Sequence, residues 1–365
     1  MHVLSVTDRL SMRGGADLHL RDVLSAATRA GMQVTLAVGR VEQGAQPPSG
    51  VRVTVVRGLS RMVADTRRLG RLQALLRAAD VVHAQNVMNP VALAQIAQTG
   101  RAIFTVQDHR MFCPGPGKTL PLGDPCTVRM SAQDCARCLQ EPAYRDRLLQ
   151  LTRDRLSAIQ GARIVVLSRY MADELALAGL DSAVVIPPWV PVEDAPTVPG
   201  DVFVMGGRLV SHKNSLRGWQ AWQDAGAPLP LVIAGEGPLL GELHDTQQPG
   251  WLSRDVLRAL LTRARALLFP ARWQEPFGIL GAEALACGTP VILTPRGGMG
   301  DWARAGCIAA DSDDAIRAAI CHLARAPQHA ADLGAAGKAM IQEHFSEARL
   351  SDRLWALYDE VRCSA

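Results

Sequence analysis

Two carboxylates and two cations mark the part of the chain best suited to chemistry. Glu275 and Glu283 stand eight apart in Arg272-Trp273-Gln274-Glu275-Pro276-Phe277-Gly278-Ile279-Leu280-Gly281-Ala282-Glu283. The short apolar run Ala266–Phe269 before them reads as a buried strand. Glu275 then falls in the loop after that strand. A helix starts near Phe277-Gly278 and carries Glu283 on the side of its own start. The first amides of a helix and its dipole suit a diphosphate. One carboxylate can hold the polar head of such a ligand and the other its ribose hydroxyls. Gly278, Gly281 and Gly288 weaken a helix, so an ordinary amphipathic helix explains the stretch poorly. Further upstream, Met205-Gly206-Gly207-Arg208-Leu209-Val210-Ser211-His212-Lys213-Asn214 follows a second short strand. Arg208 and Lys213, beside a glycine turn, supply two positive charges for the same diphosphate. Gly235-Glu236-Gly237-Pro238 reads as a turn that lets backbone approach a nucleotide, and Pro295-Arg296-Gly297-Gly298 as a neighbour of the same site. No acidic D-x-D metal motif stands out.

The first half carries weaker signals. Gly14-Gly15-Ala16 lies between the first strand and the first helix, where a glycine loop could face a phosphate. Gln107-Asp108-His109 follows the strand Ala102–Val106, and alternation would point 107 and 109 to the same side if the backbone stays extended. Asp108 and His109 are candidates for acceptor binding. His83, after Val81-Val82, reads equally as a site residue or a packing histidine. Cys113, Cys126, Cys135 and Cys138 crowd into one loop-rich stretch with four prolines, three glycines and no periodicity. Four thiolates suit tetrahedral zinc, less well an iron–sulfur cluster. A structureless loop of that length needs a staple or a function. Free thiols and a disulfide pair remain the alternatives. Cys287, Cys307, Cys321 and Cys363 read as small core or surface residues.

The elements that must position these residues alternate. Strands at His2–Thr7, Val34–Val38, Val51–Val56, Val81–Ala84, Ala102–Val106, Arg163–Leu167 and Ala183–Ile186 are separated by helical stretches, among them Arg67–Ala79 and Tyr144–Ile159. Pro187-Pro188-Trp189-Val190-Pro191 breaks the pattern, and the stretch to Gly200 reads as a linker. Val202–Met205, Leu231–Ala234, Ala266–Phe269 and Val291–Leu293 repeat it. Ser346–Val361 is a final amphipathic helix. The expected architecture is α/β: two doubly wound parallel sheets, residues 1–190 and 191–345, with a cleft between them, and 346–365 crossing back to the first. At 365 residues, 48% hydrophobic and 20% charged, the chain can build two such cores and is not disordered. A net charge of +4 is too mild to imply nucleic acid. Six arginines against Asp65 between Arg57 and Arg77 read either as a solvated helix face or as a patch for anionic lipid or phosphate. No run of 18 apolar residues and no signal peptide is evident, which implies a cytoplasmic setting, and eight cysteines in such a reducing compartment argue against a disulfide framework.

Over most of its length the sequence resembles the family-4 glycosyltransferases with the GT-B fold. The resemblance rests on the E-x7-E element Glu275–Glu283, the following Ala286-Cys287-Gly288-Thr289-Pro290-Val291, and Arg208 with Lys213. It implies two facing Rossmann-like domains with a nucleoside-diphosphate sugar in the C-terminal one. Glu275 would contact the donor sugar and Glu283 the ribose. Arg208 and Lys213 would stabilise the leaving diphosphate, with Gly14, Gly15, Gly235, Glu236, Gly237, Pro276, Phe277, Gly278, Ile279 and Leu280 around the donor. It also implies a retaining reaction without a catalytic metal; a lipid-linked or polysaccharide acceptor, with peripheral contact to the inner membrane, fits the basic segment Arg57–Arg77, and a small hydrophilic acceptor fits equally. Two departures are visible. Gln107 stands where relatives often carry histidine, and Asp301 is the nearest acid where many have glutamate. The rival readings are a sugar-nucleotide epimerase of the same fold and a non-catalytic nucleotide-binding scaffold that uses the cysteine loop for a partner.

Overall fold

The computed structural model describes residues 1–192, 198 and 200–363. They form two compact units, Met1–Pro188 together with the chain from Ala348, and Trp189–Glu347. Residues 193–197 and 199 of the Pro-rich link lie outside the described residues.

Unit 1 runs β1 (His2–Leu10), α1 (Gly15–Arg29), β2 (Gln33–Val41), β3 (Val51–Val55), α2 (Gly70–Ala78), β4 (Val81–Gln85), α3 (Pro90–Ala97), β5 (Ala102–Val106), α4 (Ala132–Cys135), α5 (Pro142–Ala158), β6 (Arg163–Val166), α6 (Arg169–Leu177) and β7 (Val184–Val185). Its seven strands are parallel, in the order β3-β2-β1-β4-β5-β6-β7. Parallel strands covered on both faces read as continuous apolar runs, and every residue of β4 and β5 is buried. Unit 2 runs β8 (Val202–Arg208), α7 (Ser215–Asp224), β9 (Leu231–Glu236), α8 (Arg254–Thr262), β10 (Ala264–Phe269), α9 (Ile279–Ala286), β11 (Val291–Leu293), β12 (Cys307–Ala309), α10 (Asp313–Arg325) and α11 (Pro327–His344). Its five parallel strands take the order β12-β11-β10-β8-β9. The last helix, α12 (Glu347–Cys363), packs with unit 1 from Ala348 onward. Among the described residues no helix is long and apolar enough to cross a membrane.

Three expectations change. Strand β8 does not stop at Met205; it runs through Gly206-Gly207-Arg208, which pair with Ala234-Gly235-Glu236 of β9. Gly206, Gly207 and Gly235 are therefore paired strand residues, whereas Gly237, past the end of β9 at φ 155°, lies in the turn. The arginines between 57 and 77 do not share one helix face. Arg57 opens a short 3-10 turn, only Arg71 and Arg77 lie on α2, and Arg61 and Arg67 both pair with Asp65. His83 is a packing histidine. It is buried, with Nδ1 2.7 Å from the Tyr358 hydroxyl of α12 and Nε2 2.6 Å from the Thr105 hydroxyl.

That clasp fastens α12 to the sheet, aided by Arg353, which donates to the Val185 carbonyl at 2.7 Å. Tyr358→Phe keeps the ring and leaves a buried imidazole nitrogen unpaired. It is expected to lower the stability of unit 1 by about 1–3 kcal/mol in urea unfolding. An unchanged midpoint would remove the clasp from the account.

Candidate active site

In unit 2 the chain leaves β8 toward β9 on one side and later returns as β10 on the other. Loops at the carboxyl ends of such a strand pair diverge and open a crevice. Lys213 lies in the loop after β8 and Glu275 in the loop after β10. Backbone contacts lock the loops together. The His212 carbonyl accepts from the amides of Arg272 and Trp273, both at 3.1 Å. Asn214 Nδ2 donates to the Pro270 carbonyl at 3.1 Å. Asn214 itself is left-handed, with φ 58°, a conformation asparagine tolerates. The outcome is an ion pair in which Lys213 Nζ donates to Glu275 Oε1. Lys213 Nζ also lies 5.0 Å from the centroid of the Trp273 ring. The Glu275 side chain is 6% exposed and that of Lys213 20%.

A third loop closes on the same residue. The Gly298 amide donates to the Glu275 carbonyl at 2.6 Å, so Pro295–Gly298 after β11 stands against Glu275, with Asp301 ending the short turn that follows. Pro276 and Phe277 lead into α9, whose N-cap is Gly278 at φ 83°. A side chain at Gly278 would be strained and would press on Met299 and Trp302. The amides of Gly281 and Ala282 donate to the Gly278 carbonyl at 3.0 and 3.4 Å. The amides of Ile279 and Leu280 therefore lack a partner inside the helix and face out of its positive end. Glu283, buried within α9, accepts at Oε1 from Arg254 Nε at 2.6 Å. Arg254 opens α8, and the sequence carries no local signal for this pairing across 29 positions.

Arg208 ends β8 and is exposed. His212, between the two cations, is pushed down to about 4, first by burial and then by Lys213 and Arg208. A Cβ at Gly235 would meet the Gly207 backbone, and one at Gly237 the Leu209 backbone. Glycine at both is thus required by the β8–β9 packing itself. Glu236, between them, is exposed at the end of β9.

In unit 1 the corresponding crevice lies between β1 and β4. Gly14, at φ 96°, precedes α1 and its carbonyl accepts from the Leu18 amide at 3.1 Å; Gly15 starts the helix. The strand ladder ends at Val106, but Asp108 is still extended (φ −151°, ψ 174°), and the chain turns only at His109. Asp108 caps the short turn that begins at His109, accepting from the Arg110 amide at 2.8 Å. Gln107 joins a buried amide network: it accepts from Asn86 Nδ2 at 2.7 Å and contacts Gln85 and His19. His109 Nε2 meets the Tyr170 hydroxyl at 2.9 Å, and burial pushes its pKa down to about 4. Burial raises the Asp108 carboxyl, yet the Arg110 guanidinium, 2.7 Å away, outweighs this and holds it low. The sequence reading missed two neighbours. Asp8 is held above the usual carboxylate range by burial, and Arg110 acts on both Asp8 and Asp108.

The four clustered cysteines are half-buried, free, and line one small cavity of unit 1. Among the described residues, no three His, Cys, Asp or Glu side chains are already set to hold one ion.

Two families match this chain. Residues 13–194 match Glycosyltransferase Family 4, and residues 196–340 match Glycosyl transferases group 1. The chain is 34% identical over 139 residues to the GDP-mannose-dependent alpha-(1-6)-phosphatidylinositol dimannoside mannosyltransferase of Mycobacterium tuberculosis, covering 35% of this chain and 36% of that protein. It is 40% identical over 81 residues to a glycogen synthase of the same species, covering 20% and 19%. The matched stretches thus span at most about a third of these relatives' length. Across whole chains, the structure superposes on HepE of Anabaena in complex with UDP with a TM-score of 0.70 at 14% identity, covering 99% of this chain and 100% of that one. Sucrose-phosphate synthase of Thermosynechococcus elongatus gives 0.71 at 17% identity, covering 100% of both. At these identities the likeness is one of fold. With a family match on each unit and the architecture shared end to end, the chain belongs to the family-4 glycosyltransferases of the GT-B fold.

Proposed function

We propose that this protein is a retaining glycosyltransferase that moves a sugar from a nucleoside-diphosphate sugar to an acceptor hydroxyl in cell-surface glycan or glycolipid synthesis. The observation that carries the reading is the Lys213–Glu275 ion pair just before the open amides of Ile279 and Leu280, with Glu283 buried further along the same helix. The diphosphate sits against the start of α9 with Lys213 and Arg208. Glu283 takes the ribose hydroxyls in place of part of its contact with Arg254. Glu275, held by Lys213, orients the sugar hydroxyls. As the bond from the sugar to the diphosphate breaks, charge grows on the leaving oxygens and the cations and amides stabilise it. The acceptor hydroxyl enters on the same face and its proton passes to the departing diphosphate. No protein nucleophile is needed. Asp108 and His109, at the carboxyl end of the unit 1 sheet, are assigned to the acceptor in this reading.

Two named relatives suggest different bases, one a GDP-mannose enzyme and the other crystallised with UDP. The first test is therefore thermal melting with UDP, GDP, ADP and their sugar conjugates. One nucleotide at a hundredfold over its Kd should add about 2.7 kcal/mol, a rise of several degrees. Glu283→Ala should abolish that rise. Absence of a shift with every nucleotide would overturn the donor site. A membrane-borne acceptor is supported by Met62 and Val63, exposed at 46% and 49% among the arginines of 57–77. An apolar tip in a basic surround suits an anionic lipid surface.

A further inference from the structure

We infer that Cys113, Cys126, Cys135 and Cys138 form a structural zinc site that holds the long loop of unit 1 after β5. The stretch from Cys113 to Met130 contains neither helix nor strand of its own, apart from one isolated bridge between Thr119 and Pro125. It has little apolar material for a core, and loops of this length inside a compact domain are uncommon without a staple.

The backbone nevertheless brings the four thiols to one cavity from three directions. The chain folds back on itself between Lys118 and Cys126: the Cys126 amide donates to the Lys118 carbonyl at 2.8 Å, and the Leu120 amide to the Asp124 carbonyl at 2.8 Å. Cys126 therefore lies beside Lys118, and Lys118 in turn reaches Cys113. The Lys118 amide donates to Cys113 Sγ at 3.4 Å. The fold is anchored by Lys118, which donates to the Val128 carbonyl at 2.7 Å and pairs with Glu174 at 2.9 Å. Cys135 ends α4, and the Cys138 amide donates to the Cys135 carbonyl at 3.1 Å, so the C-x-x-C pair comes from one tight turn. An ideal Cβ on Gly115 would lie 3.9 Å from Cys113 Sγ and 4.0 Å from Cys138 Sγ, which places both sulfurs on one side of that glycine.

Four soft donors without histidine or carboxylate among them select zinc over magnesium or calcium. The thiols are half-buried and not yet in ligating positions. Turning about the Cα–Cβ bonds between staggered rotamers re-aims each sulfur without moving the backbone. Zinc displaces four protons and leaves four thiolates around one tetrahedral ion.

The test is elemental analysis of the full chain, expressed with zinc and iron in the medium and purified without chelator. About one zinc per chain is expected, released by a mercurial reagent in step with four thiols. Cys135→Ser with Cys138→Ser should lose the zinc, whereas Cys135→His should retain it. Chelation of the wild type should open the segment 113–138 to protease while leaving the nucleotide shift of unit 2 in place. Zinc-free protein with four alkylatable thiols, iron with visible absorbance, or a mapped disulfide among the four would each overturn the site.

Discussion

Lys213→Ala is expected to lower kcat for donor turnover by about 10²–10³-fold, the usual loss when one preorganised charge donor is removed from a developing oxyanion. The measurement is release of nucleoside diphosphate from the donor that the binding screen selects. The same substitution has a second effect that a purely catalytic lysine would lack. Glu275 is almost fully buried and its carboxylate faces Lys213. Removing the cation leaves a buried charge unpaired, which typically costs about 3–5 kcal/mol unless the carboxyl takes up a proton. Lys213→Ala should therefore also lower the melting temperature of unit 2. Adding Glu275→Gln should restore much of that stability and none of the activity. Full activity in Lys213→Ala would remove the lysine from the mechanism. A double variant no more stable than Lys213→Ala alone would show that the pair is not coupled as its geometry requires.

This pair also marks how much of the site was legible beforehand. Lys213 and Glu275 could each be named from local sequence, because a strand that ends before a polar loop leaves its mark within a few residues. Their contact could not, since it depends on β8 and β10 being neighbours and on Asn214 and His212 fastening one loop to the other. Arg254, the partner of Glu283, was invisible for the same reason. Strands β4, β5 and β10 were easy, being wholly buried runs that are mostly apolar, with His83, Gln85, Thr105 and Arg265 the exceptions. Helix α3 (Pro90–Ala97) was missed because it is apolar on nearly all sides and has no helical period to read; only its cap Asn89, which accepts from the Val91 amide at 3.1 Å, signals it. β12, three residues long, carries too little pattern to register. In Gln107-Asp108-His109 the extended backbone was legible as far as Asp108 (φ −151°, ψ 174°), and the 3-10 turn that starts at His109 was not.

Two buried imidazoles, one at that turn and one on β4, are expected to make unit 1 acid-sensitive. His83 and His109 are both buried, and burial is the main cause that holds them at about 3 and about 4 instead of near 6.5. Both are neutral in the folded protein at pH 7. Below pH 6.5 the unfolded chain binds protons at these positions and the folded chain does not, so stability falls as pH falls. Each histidine contributes about 1.4 kcal/mol per pH unit in that window, or roughly 5 kcal/mol for the pair between pH 6.5 and 4.5. A typical domain has about 5–15 kcal/mol in all. Asp8 and Asp17, held above the usual range by burial, act in the opposite sense, but only as pH nears the carboxylate range. Urea unfolding at pH 7.0, 6.0, 5.0 and 4.5 should show the unit 1 midpoint dropping steeply between the first and last. His83→Gln with His109→Gln starts less stable, since the Tyr358, Thr105 and Tyr170 hydroxyls lose well-fitted partners, yet its midpoint should be nearly flat over the same range. A wild-type midpoint that does not move, or a double variant that moves as much, would mean that these imidazoles take up protons in place. The sheet would then have to open toward water at His83, against the packing of α12 over it.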